Sequence, residues 1–332
     1  MAVLYGLGCL AYYLPPQVAT WLSLLGFTVP IALFILLLFL LYWFAQKSKK
    51  ALLSLVCLIM GYFFFGWFYQ FSFTENDEVE DAFSLMSYNV RSLNHNEQLQ
   101  REGVGESIIN YIFEESPDVL LLQEADYGMR RTTALDSIYP HKFVDFEYGV
   151  PRNNRVVNAL FSKFPIVNTG IIKFNESNNA AIYVDVVMPN DTVRIFNVHM
   201  QSFNVVPDVE HLQNEESGKL LKRVVRVLNK QEEQAKLIHS YVTNSPYPVI
   251  LGGDFNNVQF SKMHRTMKGH LNDSFLAAGS GFGRTYKLFN LPVRIDYILS
   301  DNRFEAVSHI NYDIELSDHY PVMAELVLKP NK

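Results

Sequence analysis

Tyr247-Pro248-Val249-Ile250-Leu251-Gly252-Gly253-Asp254-Phe255-Asn256-Asn257 decides how this chain is read. Val249 to Leu251 is a short apolar run with β-branched residues, the mark of a buried strand. Two glycines follow, and they predict a sharp turn with close backbone approach to a ligand. Asp254 and Asn256 alternate with Phe255, so a carboxylate and a carboxamide share one face at the strand's end. A carboxylate there orients a water or holds a hard cation, and an amide hydrogen-bonds a phosphoryl oxygen without repelling it. A plain turn uses the same residue types, so the stretch must be weighed against the rest of the sequence.

Working outward, other polar residues share that placement. Asn89 ends Phe83-Ser84-Leu85-Met86-Ser87-Tyr88, Glu124 ends Val119 to Gln123, and His199 ends Val193 to Val198. Asp296 lies in Arg294-Ile295-Asp296-Tyr297-Ile298-Leu299, and Asp318-His319 precedes the strand-like Tyr320 to Val327. Ligand sites gather at such ends because strands fix directions while loops stay open. Capping is the alternative for Asn89 and Glu124. Asp296 sits among apolar neighbours and needs a partner; His319 would satisfy it and would have its own tautomer fixed in return. Further strands are expected at 156–162, 167–174 and 180–188, and helices at 101–115, 125–138 and 219–242. In the last, Leu220, Val224 and Leu228 share a face, and Lys222, Arg223, Arg226 and Lys230 read as solvated. Strand–helix alternation mixed with consecutive strands indicates a layered α/β or α+β domain.

The N-terminus differs from this. No Asp, Glu, Lys or Arg occurs from Met1 to Gln46. Trp21 to Ala45 and Leu52 to Phe71 each read as a bilayer span of roughly 20 residues or more, with Met1 to Leu14 a possible third. Lys47-Ser48-Lys49-Lys50 between them is placed in the cytoplasm by the positive-inside rule. The domain that follows is thereby expected outside the cytoplasm, on an integral protein of the plasma or inner membrane. The expected division is an anchor of two or three helices at 1–73, an acidic linker at 74–81 and a catalytic domain at 82–332. Both cysteines, Cys9 and Cys57, lie in the apolar runs, so the soluble part has no disulfide framework. With 28 basic against 34 acidic side chains, the footprint of a tight binder of long nucleic acid is missing.

Six motifs in order carry a specific resemblance: Ser87-Tyr88-Asn89-Val90, Leu122-Gln123-Glu124, Asn197-Val198-His199, Gly253-Asp254-Phe255-Asn256, Arg294-Ile295-Asp296-Tyr297-Ile298 and Ser317-Asp318-His319-Tyr320-Pro321-Val322. Together they resemble the endonuclease/exonuclease/phosphatase superfamily over residues 82–329, and Gly281 to Tyr286 resembles the segment that precedes the Arg-Ile-Asp-Tyr motif there. The resemblance implies a four-layer α/β sandwich of two mainly antiparallel sheets flanked by helices, and Mg²⁺-dependent (or Mn²⁺-dependent) hydrolysis of phosphate esters. Carried over, Glu124 is the principal metal ligand, with Asn89 and Asp318 near the metal or its waters. Asp254 orients or deprotonates the attacking water and Asn256 holds the phosphoryl group. His319, held by Asp296, stabilises developing charge, and His199 binds phosphate or helps protonate the leaving oxygen. The substrate stays open between nucleic acid, nucleotide and phospholipid head group, sphingomyelin-like or inositol phosphate. A catalytically inactive membrane binding protein is the alternative of another class. Transport by residues 1–73 finds no support, because no charged residue lies inside a span.

Overall fold

A computed structural model describes residues 1–14, 20–66, 68–71, 79, 81–94, 99–125, 133–145, 157–203, 217–288 and 291–330. Contacts group the chain into two compact units. One comprises Met1–Tyr69, Ser202–His239 and Asn257–Gly269; the other comprises Gln70–Gln201, Ser240–Asn256 and His270–Lys332.

The second unit holds two six-stranded mixed sheets. The strands are β1 (Ala82–Asn89), β2 (Val119–Ala125), β3 (His141–Val144), β4 (Val157–Ser162), β5 (Ile166–Lys173), β6 (Ala180–Val187), β7 (Thr192–His199), β8 (Val249–Asp254) and β9 (Asn272–Asp273), then β10 (Tyr286–Leu288), β11 (Leu291–Val293), β12 (Asp296–Ser300), β13 (Phe304–Asn311) and β14 (Val322–Leu328). One sheet runs β13-β14-β1-β2-β4-β3 and the other β5-β6-β7-β8-β12-β9, with β10-β11 a separate hairpin. Each six-stranded sheet is antiparallel except for one central parallel pair, β1 with β2 and β7 with β8. This is the expected sandwich.

Period-two alternation builds its layers. Leu85, Val119, Leu121 and Leu160 turn inward to meet Ile182, Val184, Ile195 and Ile250 of the other sheet. Met86, Leu120, Leu122 and Phe161 turn outward onto Ile108 and Ile112 of the helix Val104–Glu115. Between the sheets lie two fully buried amides. The Gln123 amide donates to Asn197 Oδ1 (2.7 Å) and to Ser87 Oγ (3.1 Å), while Asn197 Nδ2 donates to the carbonyls of Leu122 and Ala159. These bonds pin β2 to β7 directly beneath Glu124 and His199. An apolar pair would satisfy packing there but would not fix the register of one sheet on the other.

Two strand-level expectations need correction, and one strand was not anticipated. Gly252 and Gly253 do not form a turn; both lie inside β8. They serve close approach to protein rather than to a ligand, since a Cβ on Gly253 would stand 2.1 Å from the Val198 carbonyl oxygen and one on Gly252 2.6 Å from Leu121. Val293 to Leu299 is not one strand but the end of β11 and most of β12. The ladder breaks because Thr285 Oγ1 captures the amides of Ile295 and Asp296. The strand β13 went unanticipated because a bulge between Ala306 and Ser308 interrupts its alternation. Half of the helix expected at 125–138 falls outside the described residues; among the described ones Ala125 belongs to β2 and Thr133–Asp136 is helical. Most of the acidic linker is likewise outside them.

The first unit contains α1 (Ala2–Ala11), α2 (Thr20–Leu25), α3 (Val29–Ala45) and α4 (Ala51–Phe65), and α1, α3 and α4 bury Tyr5, Cys9, Val29, Ala32, Leu36, Cys57 and Phe65 in one cluster. Continuous helix from Leu22 to Ala45, 24 residues with mean hydropathy 2.8, is the one described helix long and apolar enough to cross a membrane. The second expected span is shorter than its apolar run: α4 has 15 residues and ends at Gly66, whose φ of 76° closes it. At 1.5 Å per residue it rises about 22 Å, less than the roughly 30 Å hydrocarbon core. With 10 residues, α1 is shorter still.

Candidate active site at the strand ends

The two parallel pairs end at one place. Asn89 and Glu124 close β1 and β2; His199 and Asp254 close β7 and β8, paired across the ladder with Asp296 opposite Asp254. Crevices outside the carboxyl ends of parallel strands are where open sheets bind ligands. Here two sheets contribute such ends to a single centre.

The Asp254 carboxylate is the hub of that centre and is 1% exposed. Its Oδ2 accepts from Asn89 Nδ2 (3.0 Å) and Asn256 Nδ2 (3.0 Å), and Oδ1 accepts from the Asn256 amide (2.7 Å) in an Asx turn. His199 Nε2 stands 3.6 Å and His319 Nε2 3.7 Å from the same Oδ2. Asn89 also donates to Glu124 Oε1 (3.3 Å), which lies 3.7 Å from His199 Nε2. His319 Nδ1 faces Asp296 at 3.0 Å, and Asp254, Asp296 and His319 offer ligand atoms within 4.8 Å of one another. Asp318 points its carboxylate at the Arg91 guanidinium and holds its partner motif residue Ser317, whose hydroxyl donates to the Asn89 carbonyl. All eight residues expected from the sequence therefore meet here.

Backbone strain marks the same residues. Glu124 and Asn256 both have φ of 50°, and Arg91 has 43°. Left-handed conformation is disfavoured for residues with a Cβ and persists where the surroundings over-determine it.

Electrostatics separate the two histidines. Burial holds the His199 imidazole below its ordinary value, more than Glu124 raises it, so the ring is neutral. Neither of its nitrogens has a hydrogen-bond partner among the described residues, although the ring is buried. Burial also opposes charge on His319, but Asp296, Asp254 and the Nδ1 bond to Asp296 outweigh it and raise its pKa. Burial pushes the Asp254 carboxyl up against the opposing field of His319.

Two residues to which the sequence reading gave no role also belong here. Arg91 follows the Asn89-Val90 motif directly, and Tyr286 packs its ring 4.9 Å from that of His319 at 59°. Thr285 beside it is wholly buried and holds the turn before β12, its Oγ1 accepting from Ile295 N (2.9 Å) and Asp296 N (3.0 Å). Thr285→Val keeps the shape and strands both amides, each worth about 1–3 kcal/mol when left buried and unpaired. The expected result is a drop of at least about 2 kcal/mol in urea unfolding. A variant as stable as the parent would show that the Thr285 hydroxyl does not hold the turn.

The donor set suits a hard divalent cation. Glu124 and Asp318 are only partly buried, with side chains 31% and 20% exposed, and Glu124 Oε1 stands 3.3 Å from Asn89 Nδ2, which also bonds the buried Asp254. Mg²⁺ takes one or two carboxylates and retains several waters. The orphaned nitrogens of His199 point to a ligand for the same space.

A family model described as Endonuclease/Exonuclease/phosphatase family matches residues 86–319. A second, described only as a domain of unknown function, matches residues 1–68. A search of curated proteins found no match. Among solved structures, an endonuclease/exonuclease/phosphatase from Beutenbergia cavernae is similar at TM-score 0.58 and 18% identity, over 75% of this chain and 72% of that one. A family protein from Bacteroides thetaiotaomicron gives 0.56 and 19%, over 75% and 98%. The human Nocturnin catalytic domain, solved with a bound sulfate anion, gives 0.57 and 18%, over 76% and 97%.

Proposed function

Because the chain belongs to the Endonuclease/Exonuclease/phosphatase family, whose members hydrolyse phosphoesters, we propose that it is a membrane-anchored, Mg²⁺-dependent phosphoester hydrolase, with Mn²⁺ as an alternative metal. The observation that carries this reading is the convergence of Asn89, Glu124, His199, Asp254, Asp296, Asp318 and His319 at the ends of β1, β2, β7, β8 and β12 and before β14.

Glu124 would hold the cation, with Asn89 and Asp318 beside it or its waters. A cation held there would supply Lewis-acid stabilisation of charge on the phosphoryl oxygens. Asp254 orients the attacking water and takes its proton, in a position where general-base help is worth roughly 10²–10⁴-fold. Asn256, fixed by its bonds to Asp254 and to the Met200 carbonyl, steadies the phosphoryl group. His319 is held cationic by Asp296 and faces the charge that grows on phosphate. His199 is neutral and keeps one N–H, which it gives to a phosphate oxygen or to the leaving oxygen.

Purified full-length chain with Mg²⁺ is expected to hydrolyse at least one member of a panel of phosphodiester, phosphomonoester, nucleic acid and phospholipid substrates. EDTA should remove all turnover, and Mn²⁺ should restore it. An inert wild type across the whole panel would favour a binding protein instead.

The anchor rests on the Leu22–Ala45 helix and on the exposed apolar side chains Ile31, Phe34, Leu41 and Phe63 around it and α4, which water would not tolerate in such number. With Lys47–Lys50 inside, a periplasm- or exterior-active reporter fused after Lys332 should be active. Activity of a cytoplasm-only reporter at that position would overturn the orientation.

A further inference from the structure

Beyond the centre around Asp254, the site has an open flank whose arginine, Arg91, has no role in the proposed hydrolysis. Arg91 to Asn94 all have left-handed backbone, with φ of 43°, 54°, 53° and 61°. A left-handed conformation is disfavoured by roughly 1–2 kcal/mol per residue. The turn is locked all the same. Arg91 N donates to Asn89 Oδ1 (3.1 Å), and Asn94 closes a loop with Leu99 through Nδ2 to the carbonyl (2.9 Å) and Oδ1 from the amide (2.8 Å). Its effect is to bring the Arg91 guanidinium back over the site onto Asp318 while leaving the side chain 37% exposed. A hollow opens there, lined by Arg91, Asn94, Leu99, Leu316 and Asp318.

Tyr286 belongs to the same centre, and the Arg91 charge acts on its phenol. Its backbone bridges to His319 and its ring packs on that imidazole. Burial and the Asp318 carboxylate push its phenol up to about 12, so the hydroxyl remains a donor at neutral pH.

We propose that Arg91 and Tyr286 form a second anion subsite, which takes a phosphate group of the substrate adjacent to the one being hydrolysed. The inference rests on the hydrolase reading and deepens it, naming the substrate class as an ester carrying two neighbouring phosphates. Four carboxylates (Glu124, Asp254, Asp296 and Asp318) crowd the centre, and a second phosphate needs cationic help to approach them. Arginine is suited to giving it, because its fork of N–H donors matches phosphate oxygens bidentately and it stays charged at all relevant pH. Asp318 holds the fork in place until phosphate replaces it. Asn256, His199 and His319 are the groups that take the first phosphate in the proposed hydrolysis. Arg91 bonds Asp318 while His319 bonds Asp296, so each cation of the site has its own carboxylate.

The test compares propyl phosphate with propane-1,3-diyl bisphosphate, titrated calorimetrically into the full-length chain with Mg²⁺. The bisphosphate is expected to bind about 10–100-fold more tightly, as charge-assisted bonds of this kind allow. Arg91→Ala should abolish the difference while propyl phosphate binds as before. Arg91→Lys should keep part of it, and Tyr286→Phe should reduce it several-fold with the ring packing intact. Melting curves verify that each variant is folded. If wild type binds both ligands equally, or if Arg91→Ala weakens both by the same factor, the subsite is overturned and Arg91 serves only to steady Asp318. If neither ligand binds wild type, the hydrolase reading fails with it, so the two failures are distinct. Two substrate pairs then name the source of the second phosphate: a dinucleotide with and without a 5′-phosphate, and a vesicle lipid with and without a phosphorylated head group. A preference for the doubly phosphorylated member in one pair assigns it; a preference in neither overturns the subsite.

Discussion

Asp254→Asn is expected to lower kcat/KM by about 10³–10⁴-fold and to leave the fold intact. General-base loss alone accounts for up to about 10⁴, and the carboxamide cannot accept a proton from water. The substitution is nearly isosteric. Its oxygen can keep both Asn89 Nδ2 and Asn256 Nδ2, which now bond Oδ2 at 3.0 Å, but its N–H₂ then faces the Asn256 backbone N–H that now donates to Oδ1. That conflict is worth a fraction of a buried hydrogen bond, about 1 kcal/mol. Ionised Asp254 is itself expensive to bury. Because burial raises its folded pKa, the favourable neutral form is complete below the unfolded value and is lost as pH rises through the folded one. In EDTA, wild type should therefore lose stability as pH rises from the ordinary carboxylate range to about 8, and Asp254→Asn should lose less. Urea unfolding at several pH values reads this directly; parallel losses in the two proteins would show that Asp254 is not buried as an ionisable group.

Gly253→Ala should prevent the second unit from folding. Gly253 has φ of +131°, a conformation that L residues rarely adopt, and its added Cβ would lie 2.1 Å from Val198 O, 2.7 Å from Val198 N and 2.9 Å from Val198 C. These are backbone atoms of β7, the strand whose next residue is His199, so no rotamer change relieves the clash. Backbone strain of about 1–3 kcal/mol adds to overpacking of similar size, and the sum of several kcal/mol is most of a typical domain's stability. Insoluble expression or loss of cooperative unfolding is the expected outcome. A soluble Gly253→Ala with wild-type unfolding would show that β7 and β8 are not this close.

The sequence made the site legible through one regularity, polar residues standing where apolar strands stop. Asn89, Glu124, His199 and Asp254 close four strands because the chain alternates up to them and then breaks. What it could not show was that two parallel pairs in different sheets bring those ends together, since Gln123 and Asn197, the amides that pin one sheet to the other, look like ordinary strand residues. Gly252 and Gly253 were read locally as a turn; their requirement is non-local, set by Leu121 and Val198. Arg91, and Tyr286 at the end of the Gly281–Tyr286 segment, were given no role for a related reason. Neither stands at a strand's end pointing forward: Arg91 is returned to the site by a left-handed turn that no residue type announces, and Tyr286 by its backbone bridge to His319. At the N-terminus apolar composition runs on to Phe71, but Gly66 stops the helix, and composition alone does not register that stop.

The central claim, a divalent-metal phosphoester hydrolase centred on Asp254, is tested most directly by the hydrolysis rate of the full-length chain as Mg²⁺ is titrated into the metal-stripped protein, on whichever panel substrate it turns over. The rate should rise from zero to saturation in the wild type, saturate only at higher Mg²⁺ in Glu124→Gln, and stay near zero throughout in Asp254→Ala. Turnover that persists without metal, or in Asp254→Ala at saturating Mg²⁺, would contradict the account.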